Sequence, residues 1–378
     1  MSVHHPIVIA GAGLAGLTLA RVLQRNDIEA AVYDLAPSAT ANSQGGMLDI
    51  HEDSGQVALR AAGLFDGFNE IIHAGGDDMR ILDKNAIVRL AEAGNGARPE
   101  VTRGDLRSLL VGSLPKGTIR WDSKVASTRT LADGRHELTL VSGDTVTADL
   151  LIGADGAWSK VRPLVSAATP IYLGVSFLEV NLIDADARHP EAAALVGNGV
   201  MFALGDERGI ISHRDPDGSL HGYIAVKAAS DWSRTVDLGD TSAIKASLLR
   251  DFSDWDEGLK RFITDADGPI VPRPIHGLPV GHRWDRTPGV TLVGDAAHLM
   301  SPFAGEGANL AMLDAAELAL AIAAHPDDIE LALGSYEQRA FPRAEASAAM
   351  SQSNLEISFR ADAPQGLLDL MAQFGQGE

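Results

Sequence analysis

Ile7-Val8-Ile9-Ala10-Gly11-Ala12-Gly13-Leu14-Ala15-Gly16 is the stretch that decides the fold. The residues before Gly11 form an apolar run of the kind that fills a buried parallel strand. Each glycine then has its own task. Gly11 makes the tight turn, Gly13 lets the backbone approach a pyrophosphate, and Gly16 lets helix and strand pack closely. Leu14, Leu17, Leu19, Ala20, Val22 and Leu23 predict a helix over 14–24. Its unpaired N-terminal N–H groups and positive dipole end would face the phosphates. A second strand, 30–33, ends at Asp34. That is about the 20-residue spacing at which a carboxylate accepts from a ribose hydroxyl. This order of elements predicts a dinucleotide site formed by Gly11 to Gly16, Asp34 and Leu35. The acid opposes a 2′-phosphate, so the bound adenosine belongs to FAD or NAD rather than NADPH.

A second glycine corner stands near the other end: Gly294-Asp295-Ala296-Ala297-His298-Leu299-Met300-Ser301-Pro302. A strand over 291–295 leads into it, and a long helix over 304–324 follows, entered through Gly305-Glu306-Gly307. Between the two corners, 149–156 is another strand that runs into an Asp155-Gly156 turn. These separated stretches belong with the N-terminal strands in one parallel sheet. The fold expected is therefore α/β: a discontinuous Rossmann-like domain (1–164 plus 287–330), an inserted α+β domain (165–286) and a C-terminal bracing helix (331–378). Within the insertion, 172–183, 199–204, 209–213 and 220–227 read as antiparallel strands, and 243–252 and 255–263 as helices. The proline-bearing stretch 269–279 reads as an extended crossing between domains. Residues 336–359 read as a helix broken near Pro342, and 367–374 as a short helix. Loops rich in glycine and asparagine are expected at 42–46 and 93–99.

At 378 residues the chain exceeds the size at which one core keeps growing. A net charge of −20 argues against nucleic acid or an anionic membrane as partner, since both require basic patches. There are no cysteines, which excludes disulfides, thiolate metal sites and a flavin link through sulfur. The twelve histidines show no metal-ligand spacing, so no metal is expected. The few residues before the first strand leave no room for a signal peptide, and the longest apolar run, 318–324, reads as core. A cytoplasmic monomer is the expectation.

The opening glycine motif with its ribose acid, the Asp-Gly pair and Gly294-Asp295-Ala296-Ala297-His298 together resemble class A flavoprotein monooxygenases, the group related to para-hydroxybenzoate hydroxylase. More closely, the chain resembles the tetracycline-inactivating flavin monooxygenases. That likeness rests on Gly45-Gly46-Met47-Leu48-Asp49-Ile50-His51, Thr102-Arg103-Gly104-Asp105-Leu106-Arg107, Phe252-Ser253-Asp254-Trp255-Asp256-Glu257 and the stretch 294–309.

The resemblance implies non-covalent FAD, with Asp34 at the adenosine ribose and Gly46, Met47, Asp49, Arg103 and Asp155 among its contacts. Asp295 would serve the ribityl or pyrophosphate region after Gly294. Pro302, Gly305, Gly307, Ala308 and Asn309 would set a helix start at the flavin pyrimidine edge, where a fixed dipole stabilises the charge of the reduced ring. Glu306 would oppose that charge, so it is expected to point to solvent. Substrate contacts would come from Glu179, Gly199, His213, His221, Pro302, Phe303, Gly305 and Asn354. Glu179 and Gly199 stand where relatives carry an amide and an arginine, and His213 and Arg214 are the candidates to replace that cation. No catalytic side chain is expected, because the cofactor carries the chemistry.

The implied activity is NAD(P)H-driven hydroxylation of a polycyclic phenol or enol by O2, with tetracycline-type antibiotics first, and thus antibiotic resistance. NADPH or NADH would bind transiently, because no second full glycine motif exists. The alternatives are an aromatic polyketide hydroxylase of the same family, a flavin reductase without oxygen transfer, and a protein that sequesters its ligand.

Overall fold

The computed structural model describes residues 3–41, 46–228 and 240–374, in two compact units. Residues 42–45, most of one expected loop and including Gly45, lie outside the described residues. The first unit comprises Met1–Ile72, Val101–Ile171 and Gly277–Ser351. The second comprises His73–Glu100, Tyr172–His276 and Gln352–Glu378.

At the centre of the first unit, Val3–Ala10 pairs in parallel with Ala31–Tyr33 on one side and Thr145–Gly153 on the other. Val290–Leu292 joins Thr145–Gly153, also in parallel. The register sets Ala10 beside Tyr33 and Gly153, and Gly153 beside Leu292. All four strands therefore release their chains at one edge of the sheet, the edge at which open α/β sheets bind ligands. Leu17, Leu19, Val22 and Leu23 of helix Leu14–Arg25 share a core with Met312, Ala315, Ala316 and Ala319 of helix Gly307–Ala324. The latter helix is long and apolar enough to cross a membrane, but 67% of it is buried in the protein. Its composition serves that core.

Several boundaries differ from expectation. The strand expected over 291–295 ends at Leu292, because Gly294 turns at φ +61° into the short helix Asp295–His298. The long helix begins at Gly307, because Gly305 adopts φ +68° after the single turn Pro302–Ala304. Pro342 does not break its helix, which runs unbroken from Ile329 to Ser358. Buried Tyr336, Ala340 and Ala344 on both sides of the proline hold the helix by packing, which offsets the lost hydrogen bond.

The sheet of the second unit runs Asp267–Gly277, Ile171–Leu182, Leu220–Lys227, Arg208–Arg214, Val200–Gly205, Met79–Asp83, Val88–Glu92. Leu178, Val180, Leu182, Met201, Ala203, Ile210 and Ile224 share a core with Phe252, Trp255, Leu259 and Phe262, from the segment that carries helices Thr241–Asp251 and Glu257–Thr264. The expected boundaries of 165–286 and 331–378 are therefore corrected. Residues 73–100 belong here because Met79–Asp83 adds in parallel to Val200–Gly205 and buries Ile81 and Leu82. Residues 352–378 belong here because Leu367 clusters with Ile81 and Leu204. The stretch expected as a crossing, 269–279, lies largely in the edge strand Asp267–Gly277, where prolines need not donate to a ladder.

Candidate cofactor and substrate sites

At the first corner, two glycines are demanded by the protein itself. A Cβ on Gly11, at φ +104°, would lie 2.3 Å from the Ala154 carbonyl oxygen. One on Gly16 would lie 2.0 Å from the Gly11 carbonyl oxygen. Gly13 differs: a Cβ there would meet nothing within 4 Å. The turn is thus a bare backbone cradle open on the Gly13 side, and the helix that starts at Leu14 has no side-chain cap at Gly13. Uncapped N–H groups beside an open glycine fit a pyrophosphate. Asp34 accepts from the Ala12 N–H at 2.6 Å and the Ala36 N–H at 2.8 Å. Those bonds aim the carboxylate and leave lone pairs for a ribose hydroxyl. Leu14 and Ala15 are buried beneath the turn, and Leu35 is exposed beside it.

The late corner seats itself against the first. A Cβ on Gly294 would lie 3.1 Å from Ala311 Cβ and 3.3 Å from Ala15 Cβ, so this turn rests on the opening helix. Asp295 follows with an exposed side chain. The Asp155 side chain is engaged within its own turn. Its oxygens accept from Ser159 Oγ at 2.5 Å and the Lys160 N–H at 2.6 Å, closing its own turn. Burial pushes that carboxyl up, against the pull of the Ser159 bond. Sequence reasoning missed Arg162, which is 3% exposed. Its guanidinium donates to the carbonyls of Ala296 (2.7 Å), Ala157 (2.9 Å) and Asp295 (3.1 Å). Burial lowers its pKa, but an arginine stays charged, so one cation ties the Asp-Gly turn to the Gly-Asp turn.

A third group gathers at the start of helix Gly307–Ala324. Asn309 is fully buried and donates to the carbonyls of Asp49 (2.9 Å) and Gly305 (3.1 Å), while its Oδ1 accepts the His51 N–H at 2.9 Å. One amide therefore locks the strand Met47–Asp49 to the glycine loop. His51 Nε2 lies 2.8 Å from Asp49 Oδ2, and its Nδ1 lies 3.5 Å from Glu306 Oε1. Glu306 is thus turned toward His51, with its side chain 20% exposed, rather than out to solvent as expected. Gly307 opens the helix with Ala308 behind it, preceded by exposed Pro302 and part-buried Phe303. Arg103 starts the helix Arg103–Gly112 with its side chain exposed, and its N–H donates to the Gly46 carbonyl at 3.3 Å.

Behind the late corner lies a buried ion network. His298 Nε2 is 2.5 Å from Asp314 Oδ2, and Arg343 Nη2 is 2.8 Å from Asp314 Oδ1. Burial lowers the His298 pKa, but Asp314 outweighs it and holds the imidazole above its ordinary value. Asp314 is held below the usual carboxylate range, its own burial outweighed by His298 and Arg343. His298 therefore has a structural partner in Asp314.

In the second unit, alternation along the strands sends Leu178, Val180 and Leu182 into the core and Phe177, Glu179 and Asn181 to the other face. Register brings neighbours onto that face: Tyr223 opposite Glu179, His221 opposite Asn181, and His213 opposite His221. His221 Nδ1 is 2.9 Å from Asn181 Oδ1 and Nε2 is 3.0 Å from the Tyr223 hydroxyl. Arg273 donates to Glu179 at 2.8 Å. Burial lowers the His221 pKa, with Glu179 opposing.

The FAD binding domain family matches residues 4–351. Monooxygenase penA of Penicillium thymicola is 32% identical, over 93% of this chain and 95% of its own length. This chain belongs to the FAD-dependent monooxygenases. Among solved structures, HpxO of Klebsiella pneumoniae complexed with FAD and uric acid superposes with a TM-score of 0.79 at 21% identity, covering 100% of this chain and 93% of that one. Tetracycline destructase Tet(51) gives 0.76 at 19% identity, covering 100% and 96%. Those two likenesses carry the fold.

Within this monooxygenase, Glu179, His213 and His221 do share a face. Gly199 does not join them as a side-chain position. A Cβ there would lie 2.1 Å from the Asp78 carbonyl oxygen and 2.6 Å from that of Gly76, so no arginine fits. Arg214 does not replace that cation, since it is spent on the Gly197 carbonyl and Asp186. Arg273, which sequence reasoning missed, is the cation beside Glu179, with a side chain 58% exposed. Asn354 stands on the helix Ile329–Ser358. Only strand register could have revealed Tyr223 and Arg273 as neighbours of Glu179.

Proposed function

We propose that this flavoprotein monooxygenase hydroxylates a small polycyclic phenol or enol, with tetracycline-type antibiotics as the first class to test and drug inactivation as the outcome. The observation that carries the reading is the cluster Glu179, Arg273, His221 and Tyr223. An acidic enol or phenol oxygen finds a cation in Arg273, a ring hydroxyl finds Glu179, and His221 is buried in the form that neither adds nor removes charge. Arg273 stands in for the arginine that Gly199 excludes. Aromatic Tyr223 and Phe177, with ring centroids 5.0 Å apart, offer a stacking surface for fused rings.

Bound FAD would supply the redox chemistry, in which two electrons from NADPH or NADH reduce O2, one oxygen atom enters the substrate and the other, with solvent protons, leaves as water. The residues of this chain do the rest. Gly11 to Gly16 and Asp34 would hold the adenosine and pyrophosphate portions, Asp295 and Arg103 the middle of the cofactor, and Asp49 with the Pro302–Gly307 loop the ring end. A monomer in the cytoplasm suits this reading.

The test is a panel of tetracyclines and other fused-ring phenols, scored together for oxygen uptake and a mass gain of one oxygen with each nicotinamide. Product at +16 mass units from a tetracycline supports the reading. Product only from other polyketide phenols moves the assignment to that class. NAD(P)H oxidation without oxygen transfer replaces it with a reductase, and tight binding without turnover with a sequestering protein.

A further inference from the structure

His51 sits between two carboxylates, and the valence of its ring restricts how that can be satisfied. Its side chain is 7% exposed, with Asp49 Oδ2 at 2.8 Å from Nε2 and Glu306 Oε1 at 3.5 Å from Nδ1. Ionised carboxylates only accept, and a neutral imidazole has one N–H. In the neutral form one ring nitrogen would turn a lone pair toward a carboxylate. The imidazolium turns an N–H toward both. The arrangement is held from outside the ring: Asn309 clamps Asp49, His51 and Gly305 through their backbone groups. Gly305, at φ +68°, lets the Asp49 carboxylate approach to 3.1 Å from where a Cβ would stand.

We propose that His51 is a charge-compensating imidazolium that neutralises Glu306 at the start of helix Gly307–Ala324, and so sets the reduction potential of the bound cofactor. The inference rests on the reading that this loop lines the ring end of FAD. A glutamate at the helix start opposes the dipole there and any anionic ligand charge. Pairing with His51 brings the Asp49–His51–Glu306 group from a charge of −2 to −1 and lets the dipole act. His51 and Glu306 are positioning residues: they move no proton to substrate, and their effect is on the relative affinity for reduced and oxidised flavin.

Two measurements test this. In flavin-free protein labelled with 15N histidine, the His51 ring, assigned by its loss in H51Q, carries protons on both nitrogens at pH 7.5, and E306Q converts it toward the neutral ring. In flavin-loaded protein, dye-equilibrated potentials move in opposite directions. E306Q, which keeps the side-chain shape and removes the charge, favours the reduced form about tenfold, about 30 mV upward for a two-electron couple. H51Q shifts it downward by a similar factor, and H51Q/E306Q returns toward the parent value. A neutral His51 ring in the flavin-free parent overturns the proposal, as does a shift of the same sign in both single variants. Protein that takes up no FAD overturns the cofactor reading instead, and the nitrogen spectrum still decides the charge of His51.

Discussion

Gly11 and Gly16 leave no space for a single added carbon, with carbonyl oxygens 2.3 and 2.0 Å from where it would go. Glu179, Arg273, His221 and Tyr223 meet through side-chain atoms on strands whose register brings them onto one face. The corner in the first unit is shaped by backbone, and the face in the second by side chains. A backbone site tolerates no change of residue but any change of neighbouring surface. A side-chain site can be rewritten one position at a time while the sheet persists.

The largest effect belongs to Gly16→Val. The backbone it strikes cannot move without parting strand from helix, so we expect a loss of more than about 3 kcal/mol, or no folded protein. Urea denaturation measures it, and a loss under 1 kcal/mol would break the contrast. Asp314→Ala comes next, at about 3 kcal/mol, because it strands buried His298 and leaves part-buried Arg343 with Glu317 alone. It also has a pH signature. The folded-state pKa of His298 is raised. The stability it contributes is therefore fully present below about pH 6.5 and is lost as pH rises through the folded value. The parent should lose stability across that alkaline window, and Asp314→Ala should flatten the slope. Asp314, with its depressed pKa, adds stability that disappears as pH falls below about 4.

Gly13→Val sharpens the comparison most. An added Cβ meets nothing within 4 Å, so the melting curve should stay within about 1 kcal/mol of the parent. FAD affinity should nonetheless drop at least a hundredfold, about 2.7 kcal/mol. Retained flavin would mean that the open side of the turn does not face the phosphates. The smallest effect on stability is Arg273→Ala, where an exposed pair contributes below about 1 kcal/mol. Its expected consequence is a raised KM for acidic phenols with FAD content unchanged. A KM that stays constant across the panel would remove Arg273 from the substrate face.

Where sequence and structure part company, the reason is physical. The strand Met79–Asp83 was not legible, because five residues of mixed polarity give no period to read and their partner, Val200–Gly205, lies more than a hundred positions away. Pro342 and the 269–279 prolines were read by local rules that burial and edge position overrode. Glu306 was expected in solvent because an inward carboxylate would oppose the charge of a reduced ring, and no local signal announces that a histidine from another segment will meet it.

The sequence by itself determined the glycine corner, the acid that follows the second strand, the late Gly-Asp turn and the parallel sheet between them. Those depend on chain geometry that only glycine or a short apolar run can adopt, and such constraints are written locally. Tertiary structure alone decided that Asp155 closes its own turn, that Arg162 binds two turns together, that Gly199 admits no side chain, and that Arg273 is the cation beside Glu179. The last three of these depend on which distant strand or turn comes alongside, and where strands pair a one-residue change of register would reverse the outcome.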